Sequence, residues 1–86
     1  MTYRIEVTPA ARRDLRKLST DILHRIDAHI LALAANPYPP GTEKLKGNED
    51  IFRVRVGDYR ILYTVERRQL VILVIRVRHR RDVYQG

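Results

Sequence analysis

The stretch FRVRVGDYRILY, residues 52–63, decides the fold of this 86-residue chain. Apolar and polar residues alternate on both sides of Gly57-Asp58, which is the pattern of two antiparallel strands joined by a two-residue loop. Glycine at the first position of such a loop favours a type II′ turn. The stretch therefore predicts a β-hairpin whose register is set by its turn.

This register places three arginines on one face of the predicted sheet. Arg55 lies directly opposite Arg60, with Cβ atoms about 5 Å apart, and Arg53 shares their face. The apolar face, expected under the helices, carries Phe52, Val54, Val56, Tyr59, Ile61 and Tyr63. Like charges directly opposite destabilise a sheet. The arginines either splay into solvent, or hold a substrate phosphate between them, or are neutralised by local acids such as Glu49, Asp50 and Asp58.

The rest of the chain predicts an α+β fold with the element order β-α-α-β-β-β. A small, mainly antiparallel sheet is expected to carry a helical hairpin on one face, within a single domain spanning residues 1–86. A basic loop, KLKG, carries Lys44 and Lys46 before the hairpin. The first predicted elements are a strand at Tyr3–Val7, a helix at about Pro9–Leu18 and a second helix that ends at about Ala35. Three strands follow, at about Ile51–Val56, Tyr59–Glu66 and Leu70–Val77.

Positive charge is concentrated in the last third of the chain. The net charge is +7, and residues 51–86 contribute +6 of it through nine arginines and three acids. A local, arginine-rich surface favours a polyanion, and nucleic acid is the leading candidate. An acidic protein, an anionic membrane and a surface charged for solubility are the alternatives.

Composition excludes several other classes of protein. The chain has no cysteine, so disulfides and thiolate chemistry are excluded, which suits a cytoplasmic location. The N-terminus lacks the apolar run of a secretory signal, and the longest apolar run, Leu70–Ile75, is too short to cross a membrane. His24 and His29 have no partner at metal-ligand spacing and are interpreted as structural. Neither a metal nor another cofactor is expected.

Four segments resemble the RelE/ParE toxin superfamily, on its RelE-like side. They are TPAARRDLRKL, KLKG, RVRVGDYRILY and the closing HRRDVY, and the similarity covers essentially the whole chain. The resemblance implies a RelE-like fold and a toxin of a bacterial type II toxin–antitoxin system. RelE-like members enter the ribosomal A site and cut mRNA without a metal, because the 2′-hydroxyl of the mRNA attacks the adjacent phosphate. A cognate antitoxin blocks such a toxin, and the pair binds operator DNA through the antitoxin.

Residue by residue, the resemblance implies a catalytic site. Arg60 matches the family's catalytic arginine, Arg80 a second arginine of the same site, and Tyr84 a tyrosine that stacks on the substrate base. Arg53 and Arg55 stand where better-known members have lysines. Arginine stays charged and is a poor base, so the general base is unidentified and His79 is the best available proton-transfer group.

Other basic residues are candidates for contacts to mRNA or rRNA. They are Lys44, Lys46, Arg76, Arg78, Arg81 and, on the first helix, Arg12, Arg13, Arg16 and Lys17, where a solvated helix face is the alternative. Three other functions stay open: a ParE-like inhibitor of DNA gyrase, a non-catalytic RNA-binding module, and an inactive relative that still binds its antitoxin.

Overall fold

A five-stranded sheet is built around the predicted hairpin. The computed structural model describes residues 2–45, 47 and 50–84, and only the backbone of residues 83 and 84. Within these residues the strands are ordered β1-β5-β4-β3-β2, with β1 parallel to β5 and the other pairs antiparallel. The elements are β1 (Arg4–Val7), α1 (Pro9–Arg16), α2 (Thr20–Ala35), β2 (Glu43–Lys44), β3 (Ile51–Val56), β4 (Tyr59–Glu66), β5 (Val71–His79) and a C-terminal 3-10 helix (Arg80–Tyr84).

The first helix begins where the sequence predicts and ends two residues earlier. The Oγ1 atom of Thr8 accepts a hydrogen bond from the Ala11 N–H at 3.1 Å, which caps the helix. At the other end, the N–H groups of Lys17 and Leu18 bond to carbonyls three residues back. This tighter winding closes the helix. No helix in the described part of the chain is both long and apolar enough to span a membrane.

Both helices pack on one face of the sheet and form the core with it, as predicted. The second helix supplies Ile26, Ile30 and Leu33, which are almost completely buried. Tyr63 on β4 is also fully buried, and its phenol donates a hydrogen bond of 2.6 Å to the Pro37 carbonyl. The sheet's other core residues are Val54, Val56, Ile61, Ile72, Val74 and Val77. The α+β prediction is therefore confirmed.

The predicted loop around KLKG contains a fifth strand that the sequence analysis missed. Glu43 and Lys44 pair antiparallel with Arg53 and Phe52, and the Arg53 guanidinium donates to the Glu43 carboxylate at 3.1 Å. This edge strand is only two residues long, so it carries too little alternation to be recognised from sequence. This strand extends the sheet on the side of β3. The second lysine of the KLKG segment, Lys46, lies outside the described residues.

A β-bulge in β5 decides which way its arginines point. Tyr63 pairs with Val74 but Leu62 pairs with Arg76, so one extra residue of β5 lies between the two pairs. Beyond this bulge Val77 reaches the core, whereas Arg76 and Arg78 share the helix-free face of the sheet with the hairpin arginines. The strand also runs to His79, two residues further than predicted.

Candidate functional site

The hairpin register agrees with the predicted one. Arg55 lies directly opposite Arg60, and Val56 opposite Tyr59. Gly57 has φ of 60°, and Leu70 is the non-glycine residue with positive φ in the described part of the chain. A positive φ confined to the first loop residue is the signature of a type II′ turn. The two like-charged arginines are therefore held together by the turn.

Three strands contribute to a row of arginines across the helix-free face. Arg60 on β4 lies between Arg55 on β3 and Arg78 on β5, because the bulge brings Arg78 opposite Arg60. Arg53 and Arg76 form a second, parallel row on either side of Leu62. Five arginines therefore share one end of one face, and their mutual repulsion destabilises the sheet wherever no counter-charge offsets it.

Three of these five arginines, and also Arg80 at the start of the C-terminal 3-10 helix, have a carboxylate partner within the protein. Arg53 is bonded to Glu43 at 3.1 Å, and Arg76 forms a bidentate pair with Asp14 at 2.8 and 3.1 Å. Looser pairs, each of 3.9 Å, join Arg78 to Asp82 and Arg80 to Asp58.

Arg55 and Arg60 differ from their neighbours in this respect. Neither has a carboxylate partner among the described acids. Glu49, one of the local acids considered above, lies outside the described residues. Two cations placed directly opposite each other without a described counter-ion favour an anion that arrives from outside.

A concave depression of about 150 Å³ lies beside this pair, and we call it the arginine cavity. The structure thus brings together three of the residues predicted as catalytic: Arg55, Arg60 and Arg80. Gly57, Asp58 and Tyr59 complete its lining. A space of this size bounded by guanidinium groups suits a phosphate, which arginine binds through paired N–H donors.

The ion pair between Asp14 and Arg76 fixes the edge of β5 beside this surface. One oxygen of Asp14 accepts from both Arg76 Nε and the Val77 N–H, at 2.8 and 2.9 Å. Burial of this carboxyl raises its pKa, but the bonds from Arg76 and Val77 outweigh burial, so the pKa lies below its ordinary value of 3.8. The same partnership raises the pKa of Arg76. Arg76 is thus engaged in holding α1 against β5.

His79 lies in a neighbouring cavity of about 340 Å³, which we call the His79 cavity. Its ring packs edge-on against the Tyr59 ring, with centroids 5.0 Å apart, and Tyr59 also lines the arginine cavity. The Nδ1 atom accepts a hydrogen bond from the Arg81 N–H at 3.1 Å, so Nε2 is the nitrogen left for exchange with a ligand. By register, His79 and Tyr59 share the face of the sheet that the helices cover, so the His79 ring lies on the other face from Arg60.

The remaining candidate residues are scattered over the surface. Lys44, on the edge strand, is paired with Asp50 at 3.0 Å. The first helix exposes Arg12, Arg13, Arg16 and Lys17, and Arg81 is exposed on the C-terminal 3-10 helix. Lys46 and the Tyr84 side chain lie outside the described residues, so their predicted roles stay predictions. Among the described side chains, no three potential metal ligands cluster together.

Two acids shape this surface in ways that were not predicted from the sequence. No role was predicted for Asp14, because its partner Arg76 lies 62 residues away in the sequence. Asp58 was considered only as a local counter-ion, whereas it lines the arginine cavity. The sequence did contain a signal for this location, because Asp58 directly follows Gly57 in a two-residue turn between two strands that carry arginines.

Replacing Arg55 with glutamine should stabilise the protein, because it removes repulsion from Arg60. We expect a gain of about 0.5 kcal/mol, which corresponds to roughly 2–4 °C in melting temperature for a chain of this size. Thermal unfolding at low salt measures it, and the gain should shrink as salt screens the charges. The matched control is Arg53→Gln, which loses the bond to Glu43 and should give no gain. An equal change in melting temperature for the two variants would contradict the proposed repulsion between Arg55 and Arg60.

Comparisons with known proteins agree with the fold and the resemblance. A family model described as the ParE toxin of the type II toxin–antitoxin system parDE matches residues 5–84. The chain is 33% identical to Toxin RelG of Mycobacterium tuberculosis, over 99% of each chain. It is 27% identical to Putative toxin RelE1 of Methanocaldococcus jannaschii, over 100% of this chain and 99% of that protein.

Solved structures give the same result. The toxin–antitoxin complex RelBE2 from Mycobacterium tuberculosis matches with a TM-score of 0.82 and 30% identity, over 92% of this chain and 99% of that one. The archaeal RelE–RelB complex from Pyrococcus horikoshii matches with a TM-score of 0.82 and 29% identity, over 93% and 97%. The chain therefore belongs to the RelE/ParE superfamily and is a toxin of a type II toxin–antitoxin system.

Proposed function

We propose that this toxin is a ribosome-dependent endoribonuclease that cleaves mRNA in the A site and thereby inhibits translation. The observation that carries the proposal is the Arg55–Arg60 pair, which lacks a described carboxylate partner and lines a phosphate-sized cavity with Arg80. RNA cleavage by an internal 2′-hydroxyl develops extra negative charge on the phosphorus oxygens. Preorganised cations stabilise such charge and need no metal ion to do so.

The proposed reaction assigns roles to the predicted residues. Arg55, Arg60 and Arg80 bind the scissile phosphate and stabilise the pentavalent transition state, while Arg53 contributes from its pair with Glu43. His79 donates a proton to the leaving 5′-oxygen from the neighbouring cavity, and Tyr84 stacks on the base. The products are a 2′,3′-cyclic phosphate and a 5′-hydroxyl. The ribosome aligns the mRNA, since in-line orientation supplies much of the rate.

The partners follow from the same proposal. The solved relatives named above are toxins bound to antitoxins, which supports a cognate antitoxin that binds and inhibits this chain and carries the complex to operator DNA. The mRNA and rRNA are the anionic ligands. Their contacts use the basic side chains proposed above, namely Arg12, Arg13, Arg16, Lys44, Lys46, Arg76, Arg78 and Arg81. Such a toxin acts in the cytoplasm, where the ribosomes are.

A purified translation system tests this function directly. Primer extension on a defined mRNA should reveal cuts inside A-site codons when toxin and ribosomes are both present, and intact mRNA when either is absent. Prior addition of the antitoxin should abolish the cuts. Intact mRNA together with unimpaired translation would overturn the proposal.

Inhibition of DNA gyrase is the second candidate function. It is favoured by the description of the matching family model, which names the ParE toxin. A supercoiling assay with purified gyrase separates the two candidates. A gyrase inhibitor blocks supercoiling and leaves ribosome-bound mRNA intact, whereas the proposed ribonuclease does the reverse.

Replacing His79 with alanine tests the proton donor. General acids typically contribute 10²–10⁴-fold. Because the His79 ring lies with Tyr59 on the other face of the sheet from Arg60, we expect a smaller loss, about tenfold. The loss should appear in single-turnover cleavage and should change the pH dependence between pH 5 and 8. His24→Ala, an exposed histidine on α2, is the control and should leave the rate unaltered. An unchanged profile for His79→Ala would remove this residue from the mechanism.

A further inference from the structure

We propose that Asp58 is the general base of the arginine cavity and accepts the proton of the attacking 2′-hydroxyl. This inference rests on the proposed function, because it concerns the step by which the ribonuclease activates its nucleophile. It supplies the group that the arginines cannot provide: a guanidinium stays protonated in proteins and accepts no proton.

The lining of the arginine cavity leaves one good proton acceptor. Besides Gly57, the residues that line it are Arg55, Arg60, Arg80, Asp58 and Tyr59. The Tyr59 ring packs edge-on against His79, at an interplanar angle of 87°, and by register it lies on the other face of the sheet from Arg60. A carboxylate is a standard general base. The carboxylate of Asp58 is therefore placed beside the cations that would hold the scissile phosphate.

The Asp58 carboxylate is also available to a substrate. Its closest described cation is Arg80 Nη1, 3.9 Å from Oδ1, and about two thirds of each side chain is exposed. The carboxylates of Asp14 and Asp82 are different, because each accepts a hydrogen bond from a backbone N–H of β5, at 2.9 and 3.1 Å. Those two acids stabilise the fold, whereas the Asp58 carboxylate can accept a hydrogen bond from a substrate hydroxyl.

The position of Asp58 is fixed by backbone on both sides. It occupies the second position of the type II′ turn, between the strands that carry Arg55 and Arg60. Its carbonyl accepts a hydrogen bond of 2.7 Å from the Arg80 N–H, which ties the turn to the start of the C-terminal 3-10 helix. The base and the three arginines are thus held by one local framework, as preorganised catalysis requires.

The proposed step balances as follows. The 2′-hydroxyl gives its proton to an oxygen of Asp58 while O2′ forms a bond to phosphorus. The bond from phosphorus to O5′ then breaks, and O5′ takes up the proton that the proposed function assigns to His79. A 2′,3′-cyclic phosphate and a 5′-hydroxyl are formed. The Asp58 proton returns to solvent and His79 takes a proton from solvent, so the net change is transfer of one proton from O2′ to O5′, and no oxidant, reductant or metal takes part.

Single-turnover cleavage of ribosome-bound mRNA by Asp58→Asn tests the inference. Asparagine is favoured in turns and keeps the size of the side chain while removing its basicity. We expect cleavage about a hundredfold slower at pH 7. Between pH 5.5 and 8.5 the ratio of the variant rate to the wild-type rate should rise about tenfold per pH unit, because hydroxide replaces the base only in the variant, while any contribution of His79 is common to both. Asp58→Glu should recover part of the rate.

Two controls separate catalysis from binding. Asp27→Asn, on the exposed face of α2, should cleave like the wild type. Asp58→Asn should bind programmed ribosomes at least as tightly as the wild type, because it removes a negative charge beside the arginines. A variant that cleaves within threefold of wild type with the same pH profile would overturn the inference and leave the proposed function standing. Loss of ribosome binding in parallel with cleavage would also overturn it. No cleavage by the wild type would overturn both.

Discussion

Replacing Arg60 with alanine should slow ribosome-dependent mRNA cleavage by 10²–10³-fold, the range typical for removing one preorganised group that stabilises transition-state charge. Arg60 occupies the centre of the row, directly opposite Arg55 on one side and Arg78 on the other. Its side chain is on the helix-free face and lines the arginine cavity. The loss should therefore fall on the chemical step, because the cavity loses its central cation at the phosphate.

The matched comparison is Arg53→Ala. Arg53 shares the face with Arg60 but is bonded to Glu43 at 3.1 Å, and its side chain is only 28% exposed. A cation that already has a carboxylate partner contributes less field at a new anion, so we expect a loss of about fivefold, near 1 kcal/mol. Primer extension under single-turnover conditions measures both variants, and circular dichroism verifies their folding.

The ratio of these two effects is the informative quantity. A large loss for Arg60→Ala beside a small loss for Arg53→Ala indicates a localised phosphate site. Equal losses would indicate that the whole basic face acts as a diffuse electrostatic surface, and the arginine cavity would then have no special role. Full activity of Arg60→Ala would contradict the catalytic assignment itself.

The hairpin was predictable because its information is local. A two-residue turn with glycine at its first position leaves one register, and a slip by one residue would bury the arginines. The core face of the hairpin and the cap at Thr8 follow from equally short patterns. Where one turn or one cap dictates the geometry, the structure agrees with the sequence.

The bulge in β5 was not predictable for a related reason. The run VILVIRVRH is apolar on both faces until Arg76, so alternation does not reveal where one extra residue enters. The bulge nevertheless decides that Val77, and not Arg76, is buried. Without it Arg76 and Arg78 would point into the core, and the row of arginines would end at Arg60.

The charge partners were hidden because they depend on tertiary contacts. The sequence indicates how many arginines share a face, but the partner of Arg76 comes from α1 and that of Arg80 from the hairpin turn. These long-range pairs decide which guanidinium groups remain available to bind a ligand. The sequence therefore predicts the basic surface. The arginine cavity can be located only from the structure, which distinguishes Arg55 and Arg60 from the neighbouring arginines that have carboxylate partners.

Replacing Asp14 with alanine should lower the free energy of unfolding by about 2–3 kcal/mol at pH 7, since a largely buried carboxylate with several bonds is removed. The Asp14 side chain is 11% exposed and accepts two bonds from Arg76 and one from the Val77 N–H. The variant leaves that N–H and the guanidinium without their partner. Urea denaturation measures the loss. The exposed pair of Arg4 and Glu6 is the control, and Glu6→Ala should cost well under 1 kcal/mol.

The pH dependence of this loss tests its cause. Burial alone would raise the pKa of Asp14, but the bonds from Arg76 and Val77 lower it below 3.8 in the folded protein. In the unfolded chain the Asp14 carboxyl therefore takes up its proton at a higher pH than in the folded protein. The contribution of the carboxylate to the free energy of unfolding is complete above pH 4, and it disappears as the pH falls through the ordinary pKa towards the pKa of the folded protein. The difference between wild type and Asp14→Ala should accordingly narrow below pH 4. A difference that stayed constant down to pH 2 would assign the loss to packing of the Asp14 side chain and not to its charge, and the pair with Arg76 would then have no electrostatic part in holding α1 on β5.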